Sequence, residues 1–213
     1  MSTLIIGDVH GCIHTLKALV RSHWQSQSEE LVFVGDLINK GKHSVRTVRY
    51  VRKLQKKFPG AVTVLLGNHE HALVKAFEND RKSPKLKRFK RGLRQRNMSP
   101  RKVMKWMSKL PLKWENDHVL VTHAGICHNV KQPFSAGNPF GVVHNRSQTK
   151  NIGKLQVFGH ILQENGQALY LEDANAWCID SGAWLGLGLS AIRIDDTAES
   201  VKIIRQPTHN ADL

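Results

Sequence analysis

The chain is expected to fold as a layered α/β protein around a sheet that is at least partly parallel. Three observations predict this. Short, β-branched apolar runs recur in the first third of the chain, each stops at a glycine, and segments with apolar residues at helical spacing separate them. Residues 3–6 are the first run, stopped by Gly7. Ile13, Leu16, Leu19 and Val20 then share one face of a helix over residues 12–24. Residues 31–34 form a second strand, stopped by Gly35. Val45, Val48, Val51 and Leu54 mark a helix that ends before Pro59 and Gly60. Residues 62–66 make a third strand, stopped by Gly67, and residues 71–79 read as a helix.

The middle changes character. Residues 82–96 and 101–110 read as two helices, with Ser99-Pro100 opening the second. Val103, Met104, Trp106, Met107 and Leu110 form its apolar side. Strands are expected at 112–115, 118–122, 155–158, 168–171, 176–179, 189–194 and 201–205. Residues 127–153 are polar and rich in Gly and Asn, so they read as loop with at most a short helix. Residues 210–213 are expected to fray.

The 213 residues suit one domain, and a hydrophobic content of 40% with 23% charged residues excludes wholesale disorder. The net charge of +15 is unusual, and it is unevenly placed. Residues 81–113 hold 14 basic residues and no acid, and residues 40–57 hold 8 more with no acid. These two blocks sit in a mildly acidic body. An anionic partner is therefore expected: nucleic acid, nucleotide, phosphoprotein or membrane surface. Cys12, Cys127 and Cys178 are odd in number and far apart, which fits inert thiols in a reducing compartment rather than a disulfide framework or a zinc cage. The N-terminus lacks a basic leader segment, and no apolar run approaches the roughly 20 residues that cross a bilayer. A cytoplasmic protein without a membrane partner is expected.

Five short motifs each follow an apolar strand: Gly7-Asp8-Val9-His10-Gly11, Gly35-Asp36, Gly67-Asn68-His69-Glu70, His123-Ala124-Gly125 and Gly159-His160. Ligands of open α/β sheets bind at the carboxyl ends of strands, and strand–crossover alternation brings the first three motifs to that edge. A lone Gly-Asp is usually an ordinary turn, and a lone His an ordinary surface or core residue. That plain reading applies to His14, His23, His43, His118 and His209. The ordered set of five is hard to produce as turns. Mixed carboxylate, amide and imidazole donors without thiolates suit Mn²⁺, Fe²⁺ or Zn²⁺. Seven such side chains exceed the needs of one ion. Two ions sharing a bridging carboxylate fit better, and such a pair suits in-line attack on phosphorus.

With those residues in view, the ordered motifs resemble the calcineurin-like metallophosphoesterases over roughly residues 3–195. More narrowly they resemble the phosphoprotein-phosphatase-type family, which includes bacterial and phage Ser/Thr phosphatases and the symmetrical diadenosine tetraphosphate hydrolases. The resemblance implies a four-layer α/β sandwich with two mixed sheets and a binuclear centre, often with Mn²⁺. It implies that Asp8 and His10 bind the first metal, that Asp36 bridges, and that Asn68, His123 and His160 bind the second. His69 matches the general acid, Asn68 also faces the phosphate, and a metal-bound hydroxide is the implied nucleophile. Arg146 resembles a family arginine that grips phosphate; the plainer reading is a solvated loop residue. Asp180, in Cys178-Ile179-Asp180-Ser181-Gly182, is expected to support the site rather than to ligate.

The departures are informative. Ser/Thr phosphatases carry Asp and Arg where this chain has Asn39 and Lys40. Asn39 brings no charge behind His69, and Lys40 offers phosphate a point charge instead of a fork. The symmetrical tetraphosphate hydrolases also lack an acid at the Asn39 place and share the sense of His123-Ala124-Gly125-Ile126, but usually carry Asp where this chain has Glu70. The leading expectation is a binuclear phosphohydrolase of the symmetrical dinucleoside polyphosphate type, with a nucleotide-capped RNA end as a related substrate. A small Ser/Thr phosphoprotein phosphatase is the alternative, followed by a non-catalytic nucleic-acid-binding module on the same scaffold. Residues 81–113 are expected to form a basic helical cap insertion that attracts phosphate or nucleic-acid backbones, with Phe89 and Trp106 as either stacking faces or core residues. Lys53, Lys56 and Lys57 are expected on a solvated face.

Overall fold

A computed structural model describes residues 2–213. Two five-stranded mixed sheets lie face to face. The first takes β1 (Ser2–Ile6), β2 (Glu29–Phe33) and β3 (Val62–Val64) in parallel, then β9 (Leu189–Asp195) antiparallel to β1 and β10 (Val201–Gln206) at the edge. The second takes β5 (Val119–Thr122), β6 (Leu155–Phe158) and β8 (Ala176–Cys178) in parallel, flanked by the antiparallel edges β4 (Lys113–Glu115) and β7 (Leu169–Leu171). The helices are α1 (Ile13–His23), α2 (Ser44–Lys57), α3 (Asn68–Asn79), α4 (Pro84–Arg94) and α5 (Pro100–Met107).

Strand periodicity decides which layer each residue joins. Leu4, Ile6, Leu31 and Phe33 face a core shared with Leu16 and Leu19 of α1 and Val48 and Val51 of α2. Their neighbours Ile5 and Val32 point the other way, onto Val121 and Val157 of the second sheet. The far face of that second sheet gathers Phe158, Ala174, Ala176 and Cys178. Leu86, Phe89 and Leu93 of α4 and Val103, Met104 and Met107 of α5 join the helix-side core. Phe89 is 7% exposed and so offers no stacking face, while Trp106 is half-buried and donates Nε1–H to Gln55 Oε1 at 2.9 Å.

Two expectations are corrected. The chain end does not fray: Asn210–Asp212 is a 3₁₀ turn, and Asp212 is buried. The reason is a missing cap. Cys12 precedes α1 and has no side-chain capping bond. Asp212 supplies it from across the chain, accepting from His14 N at 3.1 Å and from Thr15 N and Oγ1 at 2.8 Å each. The second correction concerns α3, which begins at Asn68 rather than at residue 71, with Gly67 as its extended N-cap. The third motif is thus the first helical turn. Residues 127–153 hold no helix or strand, as expected, apart from an isolated bridge between Cys127 and Thr149.

Candidate metal centre

The first three motifs lie at the carboxyl ends of β1, β2 and β3, and the last two at those of β5 and β6. The two sheets bring these edges together, so donor atoms from all five motifs lie close to one another. The loops interlock through backbone bonds: His10 N donates to Asp36 O at 2.8 Å, Gly11 N to Leu37 O at 2.9 Å, and Gly41 N to His10 O at 2.9 Å. His10, Asp36, Asn39, Lys40 and His160 all take positive φ, from 43° to 68°. Such backbone costs of the order of 1–3 kcal/mol per residue and is held here by the surrounding bonds. Glycine is required where chain meets carboxylate: a Cβ on Gly159 would lie 1.9 Å from Asp8 Oδ1, and one on Gly67 2.2 Å from Asp36 Oδ1.

Asp36 stands between two groups of donors. Its Oδ2 lies 3.5 Å from His10 Nε2, and its Oδ1 lies 3.6 Å from His123 Nε2. On the first side, His10 Nδ1 is bonded to the Ile38 carbonyl at 2.9 Å, so the imidazole proton sits there and Nε2 presents its lone pair. That Nε2 also lies 3.9 Å from Asp8 Oδ2. On the second side, His123 Nδ1 donates to the Val34 carbonyl at 3.0 Å, leaving Nε2 to face Asn68 Oδ1 at 3.0 Å. The same oxygen lies 3.1 Å from His160 Nδ1. Asp8 is fixed by the His160 backbone N–H, at 3.3 and 3.2 Å from its two oxygens.

This arrangement turns lone pairs toward lone pairs. His10 Nε2, His160 Nε2, Asp180 Oδ2 and Glu70 Oε1 are buried with no hydrogen-bond partner among the described residues. Donor atoms of Asp8, His10 and Asp180 lie within 4.8 Å of one another, as do those of His10, Asp36 and His69 and those of Asp36, His123 and His160. Orphaned oxygen and imidazole donors around a shared carboxylate fit two divalent cations and leave both clusters unsatisfied without them.

The titration behaviour has the same origin. Burial pushes Asp36 up to about 6 and raises Asp8 and Asp180, each also opposed by a neighbouring carboxylate in the latter two. Burial holds His123 down to about 3 and His160 to about 2, and keeps His10 well below its ordinary value. The imidazoles are therefore neutral, the form that ligates. Glu70 is buried, pushed up to about 8 by burial and by Asp36, and accepts the Asp36 N–H at 2.8 Å.

His69 is more open than the others, with 24% of its side chain exposed. Its backbone N–H donates to Asp36 Oδ1 at 3.0 Å, and its Nδ1 lies 2.8 Å from the Asn39 side-chain amide. Burial lowers its pKa, partly offset by Asp36. Lys40 is exposed, with its ammonium 5.0 Å from the Trp184 ring centroid. Arg146 is exposed too, and after burial its charge is among those opposing protonation of His69 and His160.

Two residues escaped the sequence reading. His71 Nδ1 and His144 Nε2 are bonded at 3.0 Å; burial lowers the pKa of both, and His144 further opposes protonation of His71. His71 lies beside the third motif and His144 two residues before Arg146, but only the tertiary fold pairs them. Asp180 was expected in support of the site; its buried carboxylate offers an oxygen within 4.8 Å of donor atoms of Asp8 and His10.

Solved structures match the whole chain in fold. A Saccharomyces cerevisiae serine/threonine phosphatase superposes with a TM-score of 0.70 at 16% identity, covering 99% of this chain and 81% of its own. A crystal structure of a candidate diadenosine tetraphosphatase gives 0.67 at 23% identity, covering 98% and 94%. Curated relatives are the symmetrical bis(5'-nucleosyl)-tetraphosphatases of Hamiltonella defensa, 34% identical over 129 residues, and Vibrio parahaemolyticus, 32% identical over 128. Each alignment takes in 59% of this chain and 45% of the relative, so the chain spans about half the length of these proteins. The model of the calcineurin-like phosphoesterases matches residues 1–183, and the chain, with its clustered candidate metal donors, belongs to that family.

Proposed function

We propose that the chain is a binuclear metal-dependent phosphohydrolase that cleaves dinucleoside polyphosphates symmetrically, diadenosine tetraphosphate being the reference substrate. The observation that carries this reading is the two-sided Asp36, with His10 on one oxygen and His123 on the other. Asp8, His10 and Asp36 would hold one ion, with Asp180 beside them, and Asp36, Asn68, His123 and His160 the other. Two such ions supply an activated water and neutralise charge on the phosphate oxygens. Mn²⁺ suits this oxygen-and-imidazole set, with Fe²⁺ or Zn²⁺ as substitutes. The names of the curated relatives support the substrate class.

The chain's own residues do the rest. The Ile38 and Val34 carbonyls fix the tautomers of His10 and His123. His69 is the general acid, delivering a proton from Nε2 to the leaving oxygen while Asn39 orients the ring through Nδ1. The Asn39 amide serves either protonation state of the ring because it carries both a donor and an acceptor. Lys40 and Arg146, both exposed, hold substrate phosphate. Residues 81–113, with α4 and α5, act as the cap. Three free, buried cysteines fit a cytoplasmic setting, and no helix among the described residues is long and apolar enough to cross a membrane.

The test is to load the protein with Mn²⁺ and to assay it on diadenosine tetraphosphate and on a phosphopeptide. ADP as the sole nucleotide product is expected. Phosphate release from the peptide with no ADP from the nucleotide overturns this reading in favour of a phosphoprotein phosphatase.

A further inference from the structure

Beside the metal centre runs a groove of about 450 Å³ between the start of α2 and the exposed side of α4. It joins the two basic blocks that lie far apart in sequence. Lys42 and Arg46 line it from one wall, and Lys85, Arg88, Arg91 and Arg96 from the other. Asn39, Lys40 and His69 also line it, so it reaches the proposed proton donor. No acid lines it, and none of these Lys and Arg residues forms an ion pair among the described residues.

The charges are maintained against their own repulsion. Lys85, Arg88 and Arg91 follow one another at i, i+3 along α4, a spacing at which like charges destabilise a helix. Lys85 also sits in the first turn, where the helix dipole disfavours a cation and α4 carries no acid. A polyanion bound along the groove removes both penalties. Charge dominates the groove: Phe89 is buried in the core and leaves no face for a nucleobase, and the remaining rings in the lining are the small imidazoles of His43 and His69.

We propose that this groove holds the leaving side of a phosphoanhydride chain, and that the protein cleaves inorganic polyphosphate. The proposal rests on the phosphohydrolase reading and names a substrate without bases for the same centre. In the step, the oxygen of water forms a bond to phosphorus and the bridging P–O bond breaks. The electron pair leaves on the bridging oxygen, which takes the proton from His69; the attacking water gives up a proton to solvent, from which His69 recovers its own, and two shorter chains result. The departing chain lies along the arginines of α4, which offer phosphate paired N–H donors.

The experiment has a binding arm and a hydrolysis arm. In the first, short-chain inorganic polyphosphate is titrated by calorimetry into chelator-treated, metal-free protein. Wild type is expected to bind with a steep salt dependence. The double variant Arg88→Glu/Arg91→Glu is expected to bind about tenfold or more weakly, as loss of several phosphate contacts requires. Arg94→Glu reverses a charge on the same helix outside the groove and is the control. Arg88→Gln/Arg91→Gln, without reversed charge, guards against a folding defect, checked by circular dichroism. In the second arm, Mn²⁺-loaded wild type is expected to shorten the chains on a gel, with a KM that rises in the double variants. Equal loss of binding in Arg94→Glu and in the groove variants overturns the groove as the site. Tighter binding of single-stranded RNA than of polyphosphate, with the same arginine dependence, overturns the ligand in favour of nucleic acid. Cleavage of diadenosine tetraphosphate but not of polyphosphate overturns this proposal alone. Cleavage of neither substrate, with groove binding intact, overturns the hydrolase reading and this one with it.

Discussion

The metal centre and the groove beside it share His69 and Asn39 but are built by opposite means. The centre is buried, and its donors are acids, amides and neutral imidazoles on strained turns locked by backbone bonds. The groove is open, and its donors are long cationic side chains on helix surfaces. In the centre, a displaced atom leaves an unsatisfied buried group, so each residue matters by itself. In the groove, each cation is solvated and works through the summed field, so single changes are small and add up. Chemistry that needs fixed geometry belongs to the first region, and capture of an extended anion to the second.

The largest expected effect comes from Asp36→Asn, which leaves the fold's hydrogen-bond acceptor for His69 N–H but removes the shared charge. Activity is expected to fall by more than about a hundredfold, since even indirect partners of metal sites cost 10- to 100-fold, and metal content measured by atomic absorption should fall with it. Full metal content with lost activity would instead separate the two roles. His69→Asn is expected to lower kcat by about 10²- to 10⁴-fold, the range for a lost proton donor, with metal content unchanged. Loss of metal in that variant would assign His69 to the ligand set.

Glu70→Gln distinguishes burial from ligation. In the wild-type metal-free protein, Glu70 keeps its proton up to about pH 8, whereas the unfolded chain releases it near the ordinary value of 4.5. The stability that this neutral carboxyl contributes is therefore full below 4.5 and is lost as pH rises toward 8. Gln titrates nowhere, so the variant is expected to gain in Tm relative to wild type across that window. A difference independent of pH would show that Glu70 is already ionised. Asn39→Asp supplies the absent charge behind His69. It is expected to move the alkaline limb of kcat upward by about one pH unit, as a hydrogen-bonded carboxylate favours the imidazolium. An unmoved limb would take Asn39 out of the proton path. The smallest effect belongs to Lys53→Ala/Lys56→Ala, on the solvated face of α2. Stability is expected to change by less than about 0.5 kcal/mol per substitution, and KM for phosphate substrates not at all. A raised KM would extend the groove along α2.

Much of this was legible because it is local. Residues 3–6 and 31–34 alternate faces and stop at glycines, and the structure turns them into β1 and β2 with both faces buried. The helical spacing from Val45 to Leu54 becomes the buried side of α2. Asp8, His10, Asp36, Asn68, His123 and His160 lie close together, because five strand ends of two facing sheets meet there. The start of α3 was missed locally, because a Gly-Asn-His turn and a first helical turn read alike; the other differences were non-local. Asp212 caps α1 from the other end of the chain, so its order is invisible at residues 210–213. Arg94 belongs to the same basic block as Arg88 and Arg91 yet does not line the groove, since one helix cannot turn all its cations to one side.

Chain order and residue chemistry by themselves determined the alternation of strands and helices, the five glycine-bounded motifs and the excess of cations in two acid-free blocks. These follow from periodicity, turn chemistry and charge, which act over a few residues. Only the tertiary structure decided that Asp36 has one oxygen for each donor group, that His71 meets His144, and that the two basic blocks form opposite walls of one groove. Those outcomes depend on how two sheets and the helices on them are packed, and that packing is set by burial across the whole chain rather than by any segment of it.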